Sequence, residues 1–198
     1  MDDTIWLNLG SKRQVSSSTR LGWAGAQQHL GDLLLLEEVV KETASEVDWI
    51  FFGMCPDSFR PYVKEVHDGV RFENYHEKLA TLNLDLAVAP LEHNRFNEAK
   101  SNLRILEYGA LGWPVIASDI EPYRNTPVSL VRSQPSAWIN AIRDHLHDLD
   151  AAYQKGDHLR AWVHEHWMLQ GHLTEWLSAL DQGSCLSIHK NEQRHATA

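Results

Sequence analysis

Between Arg20 and Asp150, short and almost continuously apolar runs alternate with stretches of helical spacing, and this constrains the fold more than any other feature. The apolar runs are Arg20-Leu-Gly-Trp-Ala-Gly25, Val47-Asp-Trp-Ile-Phe-Phe-Gly53, Val70 to Phe72, Asp85-Leu-Ala-Val-Ala-Pro90, Pro114-Val-Ile-Ala-Ser118 and Val128 to Val131. Between them lie helical stretches at Leu30 to Thr43, Asp57 to Glu65, Tyr75 to Asn83 and Ser101 to Leu111, with another from Ser136 to about Leu149. A strand with no polar face must be covered on both sides, as happens in parallel sheets joined by crossover helices. The expected fold is therefore α/β, a Rossmann-like doubly wound parallel sheet of about six strands. Ligands of such sheets meet the carboxyl ends of the strands, near the switch in strand order.

A chain of 198 residues suits one such domain with an appendage. Residues 1–18, ending in Ser16-Ser17-Ser18, read as a flexible leader, 19–150 as the sheet domain, 151–181 as a C-terminal helical appendage and 182–198 as a flexible polar tail. The appendage is expected to be one helix, Asp157 to Leu180, with Leu159, Trp162, Val163, Trp167, Leu173, Trp176, Leu177 and Leu180 at three/four spacing. Its three tryptophans spread over about half the helix circumference and cannot all face one sheet. At least one should be exposed, or covered by self-association through this helix. The net charge of −9 argues against nucleic acid or an anionic membrane as the partner. Two cysteines, Cys55 and Cys185, make no disulfide framework or zinc spacing, which suits a reducing, cytoplasmic setting. No segment approaches the roughly 18 apolar residues that span a bilayer.

An anion bound by so acidic a chain needs a local device. The loop Glu92 to Lys100 lies at the carboxyl edge, and the helix entered near Ser101 offers unpaired N–H groups and a positive dipole end, with the Lys100 charge beside them. Glu107 is the second feature. At about 100° per residue it lies within the arc of Leu103, Leu106, Ala110 and Leu111, so the carboxylate points inward and needs a donor or a cation. Two roles stay open: pairing with Arg104 or Lys100, or accepting hydrogen bonds from hydroxyls of a ligand.

Arg20-Leu-Gly-Trp-Ala-Gly25, Asp32-Leu-Leu-Leu-Leu36, Phe51-Phe-Gly53, Val70-Arg-Phe72 and the whole block Asp85 to Ser118 resemble the C-terminal, donor-binding half of a GT-B glycosyltransferase of the "glycosyl transferases group 1" (family-4) type. The likeness runs from Arg20 to Asp150, with Ala99 to Ser118 as its specific part. It implies binding of a nucleotide diphosphate sugar, UDP or GDP type, by the donor half of a retaining transferase, with no other cofactor. In that family two glutamates stand with seven residues between them, and the second, which meets the ribose hydroxyls, corresponds to Glu107. The first would fall at Ala99; the glutamate here stands one place earlier, so Glu98 is the candidate for the sugar-facing, catalytic side. Lys100 replaces a common glycine, and the basic pair that usually assists the diphosphate is missing from its usual places, so Lys100 stands in. The diphosphate is expected at the N–H groups of Ser101 and Asn102 and at the turn of Gly25. The acceptor half would be a missing N-terminal domain, so the chain alone should bind nucleotide without turnover. The alternatives are a non-catalytic nucleotide-binding or interaction module of the same fold, or half of a GT-B sugar-nucleotide epimerase.

Other features weigh less. Gly22-x-x-Gly25 is no dinucleotide fingerprint. Asp148-Leu-Asp150 reads as a solvated helix end. His145-Leu-His147 and His164-Glu-His166 splay their rings around a helix and read as surface histidines. No metal is expected. His29, close behind the first strand, is a minor ligand candidate.

Overall fold

In the computed structural model, which describes residues 1–13 and 18–181, six parallel strands form one sheet. They are β1 (Thr19–Ala24), β2 (Val47–Gly53), β3 (Glu65–Asp68), β4 (Leu86–Ala89), β5 (Val115–Ser118) and β6 (Ser129–Val131), in the order β3-β2-β1-β4-β5-β6. β1 pairs with β2 from Thr19↔Val47 to Ala24↔Phe52, and with β4 at Leu21↔Leu86 and Gly22↔Ala87. The order therefore reverses between β1 and β4, where the carboxyl edge opens a crevice.

Every residue of β4 and β5 is buried, so both faces need cover. On one face α2 (Leu30–Leu34), α3 (Glu37–Thr43) and α7 (Pro135–His147) enclose Trp23, Trp49, Phe51, Phe59 and Trp138. On the other, α4 (Phe72–Ala80), α6 (Leu103–Ala110) and α8 (Leu149–His166) close over Phe52, Tyr108 and Trp113. Two glycines bring α8 close: a Cβ on Gly109 would lie 2.8 Å from Leu159 Cγ, and one on Gly156 would strike the Gly112 carbonyl and lie 2.8 Å from Pro114 N. Asp148 caps α8 by accepting from the Ala151 N–H at 2.9 Å, which gives this aspartate a structural role.

Several local expectations are corrected. The third strand is Glu65–Asp68 and not Val70 to Phe72: it is an edge strand with alternate residues exposed, so it carries no apolar run. Arg71 instead starts α4, whose first residue, Phe72, is 86% exposed. The helix expected at Asp57 to Glu65 is a single 3₁₀ turn, Arg60–Tyr62, around Pro61, which lacks a donor N–H. Leu30 to Thr43 breaks into α2 and α3.

Residues 1–13 do not form a solvated leader. Asp2 caps a short helix, α1 (Asp3–Trp6), and Trp6 is buried in the core under α4, α6 and α8. The N-terminal segment also holds the far end of the chain: the Leu169 N–H donates to Met1 O and the Gln170 N–H to Asp3 Oδ2, each at 2.9 Å. Those contacts interrupt the expected single C-terminal helix. α8 ends at His166, a 3₁₀ turn spans Gln170–His172, and residues 173–181 are helical again. Trp162 packs on the core, Trp167 lies 5.9 Å from it, and Trp176 is 61% exposed. His145 is buried too, its Nδ1–H donating to Ala141 O at 2.7 Å and its Nε2 3.2 Å from Ser129 Oγ, which corrects its reading as a surface residue. The tail from Gln182, with Cys185, lies outside the described residues.

Candidate functional site

At the reversal between β1 and β4, a cavity of about 190 Å³ is lined by His29 from the turn after β1, Leu91 after β4, Tyr123 after β5, and Lys100, Ser101, Leu103, Arg104 and Glu107 at the start of α6. Larger clefts of about 510 and 590 Å³ lie elsewhere, and one of about 280 Å³ lies where Arg13 is already paired with Asp157. The first is a mainly apolar groove along residues 166–179; the second, at the ends of β2 and β3, has its arginine, Arg60, already 3.1 Å from Asp57. The smaller cavity is where an inward carboxylate and cationic side chains converge.

Glu107 takes neither of its expected structural partners. No ion pair to Arg104 or Lys100 forms among the described residues; instead the Tyr75 hydroxyl donates to Glu107 Oε2 at 3.0 Å. Oε1 has no hydrogen-bond partner among the described residues. Burial pushes the carboxyl above its ordinary range, against the opposing pull of Arg104 and the Tyr75 hydrogen bond. A half-buried carboxylate that lines a cavity and keeps one oxygen unbonded is suited to accepting hydroxyl hydrogens.

The cations are disposed unequally. Lys100 Nζ lies 3.7 Å from Asp32 Oδ2 and 5.0 Å from the Phe96 ring centroid, so its charge is partly answered within the protein. Asp32 is itself buried and fully engaged: it accepts from His29 Nδ1 at 2.8 Å, from the Glu92 N–H at 2.8 Å and from Asn97 Nδ2 at 2.9 Å. Burial would raise its carboxyl, but these donors and Lys100 outweigh that and hold it below the usual aspartate range. Arg104 differs: its guanidinium lies over the Trp23 ring, 5.0 Å from the centroid, and pairs with no carboxylate among the described residues. Its hydrogen bonds go to tyrosine hydroxyls, a long one of 3.5 Å to Tyr108 and another to Tyr123. Tyr108 also accepts from the Ala24 N–H at 2.8 Å, joining the end of β1 to α6.

The residues expected at the site thus divide. Glu107, Lys100 and Ser101 line the cavity. Asn102 does not; it is the N-cap of α6, which begins at Leu103, two residues later than the spacing suggested. The open N–H groups of the first turn therefore belong to Leu103 and Arg104 and not to Ser101, since Ile105 and Leu106 already donate to Asn102 O. Gly25 borders the site, but its N–H donates to Phe52 O at 2.9 Å and is not open to a ligand. A Cβ there would lie 2.5 Å from Trp23 and 2.8 Å from Arg104 Nη2, so only glycine fits. Glu98 is exposed on α5 (Arg95–Glu98), away from the cavity lining. His29 does line the cavity, and Arg104 was foreseen only as a partner for Glu107; its place over Trp23 joins residues 81 positions apart and has no local sequence signal.

No protein-family model matches the sequence, and no match is found among the curated proteins. Solved structures do match in fold. Sucrose-phosphate synthase from Thermosynechococcus elongatus superposes with a TM-score of 0.63 at 17% identity, covering 86% of this chain and 46% of its own. Anabaena Alr3699/HepE, solved in complex with UDP and glucose, gives 0.63 at 13% identity, covering 83% and 48%. TarM of S. aureus gives 0.62 at 17% identity, covering 85% and 36%. The chain spans between about a third and a half of the length of these neighbours. In architecture it is a Rossmann-like α/β domain with the fold of GT-B glycosyltransferases.

Proposed function

We propose that this chain is the donor-binding half of a retaining glycosyltransferase of the family-4 type, and that it binds a nucleotide diphosphate sugar at the carboxyl edge between β1 and β4. The observation that carries the reading is Glu107: a half-buried carboxylate at a cavity wall with one oxygen held by Tyr75 and the other open. In this reading Glu107 accepts the ribose hydroxyls, while the diphosphate lies toward Lys100, Ser101 and the first turn of α6. The cavity is too small for a whole nucleotide sugar, so it receives the ribose–diphosphate part and the remainder extends along the open edge. HepE, a neighbour in fold, has been solved with UDP-glucose, which supports a donor of the UDP type.

Catalysis asks more of the site. With Ala99 in the sugar-side position and Glu98 exposed, a non-catalytic nucleotide-binding module of the same fold is the second reading. Calorimetry with UDP, GDP and their sugars tests both. A donor sugar nucleotide that binds more tightly than its free nucleoside diphosphate supports the transferase half; equal affinity for the two supports the module; no binding rejects both.

A further inference from the structure

We propose that Arg104 is the cation that holds the donor's diphosphate, and that it sets a preference for diphosphate over monophosphate nucleotides. The inference rests on the nucleotide reading of the cavity. The turn after β1, Gly25-Ala-Gln-Gln-His-Leu-Gly31, contains no lysine or arginine, and the Gly25 N–H already donates to Phe52 O. His29 in that turn is held at Nδ1 by Asp32, and Lys100 shares its charge with the same aspartate.

Arg104 is the cavity cation that forms no ion pair with a carboxylate among the described residues: Glu107 attracts it, but its hydrogen bonds go to tyrosine hydroxyls. It lines the cavity, its flat face rests on Trp23, and its Nη2 stands 2.8 Å from where a Gly25 Cβ would be, so the guanidinium sits where the β1 turn meets α6. A guanidinium packed on an aromatic face without a carboxylate is costly unless an anion completes it. Its planar fork suits two phosphate oxygens at once. Glu107, one helical turn further along α6, lines the same cavity, so ribose and phosphate groups of one ligand would meet opposite charges there.

The test is calorimetry with uridine, UMP and UDP, and with the guanine series, on the wild-type chain and on Arg104→Met, which keeps the apolar stem over Trp23. The wild type should prefer diphosphate over monophosphate by at least about tenfold, and Arg104→Met should reduce that ratio to within about twofold while nucleoside affinity stays unchanged. A ratio that survives in Arg104→Met overturns the inference and leaves the nucleotide reading intact. A second measurement needs no variant: the Arg104 Nε–H resonance should shift on titration with inorganic pyrophosphate. If nucleotides do not bind but pyrophosphate moves that resonance, the anion role stands and the nucleotide reading falls. If neither occurs, both fall.

Discussion

Glu107→Gln changes one atom of the cavity wall and should move stability and affinity in opposite directions. Burial raises the Glu107 carboxyl in the folded chain, so ionising it costs stability. The favourable contribution of the neutral acid is complete below the unfolded value of 4.5 and is lost as pH rises through the folded value. Gln carries no charge to desolvate and keeps an oxygen for the Tyr75 hydroxyl, so the variant should melt no lower than wild type at pH 7, with the two curves converging in acid. Binding should respond with the other sign. A carboxylate accepting a hydroxyl contributes about 1.5–3 kcal/mol and a neutral amide oxygen about 0.5–1.5, so each lost charge-assisted bond costs about 1–2 kcal/mol, or about 5- to 30-fold. Calorimetry with UDP and GDP, paired with thermal melts at pH 7 and pH 4.5, reads both quantities. A variant that melts early and binds normally would refute the reasoning and make Glu107 a structural partner of Tyr75.

Four further outcomes follow from the same geometry. Lys100→Ala should weaken nucleotide binding by less than about 1 kcal/mol, because Asp32 already shares the charge; a loss above tenfold in calorimetry would give Lys100 the leading role. Gly156→Ala should lower stability by about 1–3 kcal/mol or more, since its methyl would meet the Gly112 carbonyl and the Pro114 nitrogen; a melt within a degree of wild type would show that α8 can shift freely. Arg20 holds the Glu65 carboxyl down at about 2 through bonds of 2.7 and 3.0 Å, so that contribution is present above pH 4.5 and lost as pH falls toward 2. Arg20→Met should flatten this acid slope in pH-dependent melts, and an unchanged slope would count against the pair. Trp176, with Leu173, Leu177 and Leu180 exposed beside it, should quench readily with acrylamide or be shielded by self-association at high concentration; a strict monomer in sedimentation with shielded tryptophans would contradict both.

The sequence by itself determined the sheet, because an uninterrupted apolar run such as Leu86–Ala89 can be satisfied only between two covering layers, and that signal is local. It determined the inward direction of Glu107 for a similar reason, since helical spacing fixes which residues share a face. β3 escaped it because an edge strand, bonded on one side, has no need of apolar residues on both faces. The tertiary structure decided the partners. Asp32 is bonded by Glu92 and Asn97 from beyond β4, Tyr75 reaches Glu107 from another helix, and Arg104 rests on a tryptophan of β1. It also placed Trp6 in a core that the polar N-terminal sequence did not announce. Periodicity specifies which face of an element is buried; which charge meets which across that face depends on how the elements cross, and that is fixed only when the layers close.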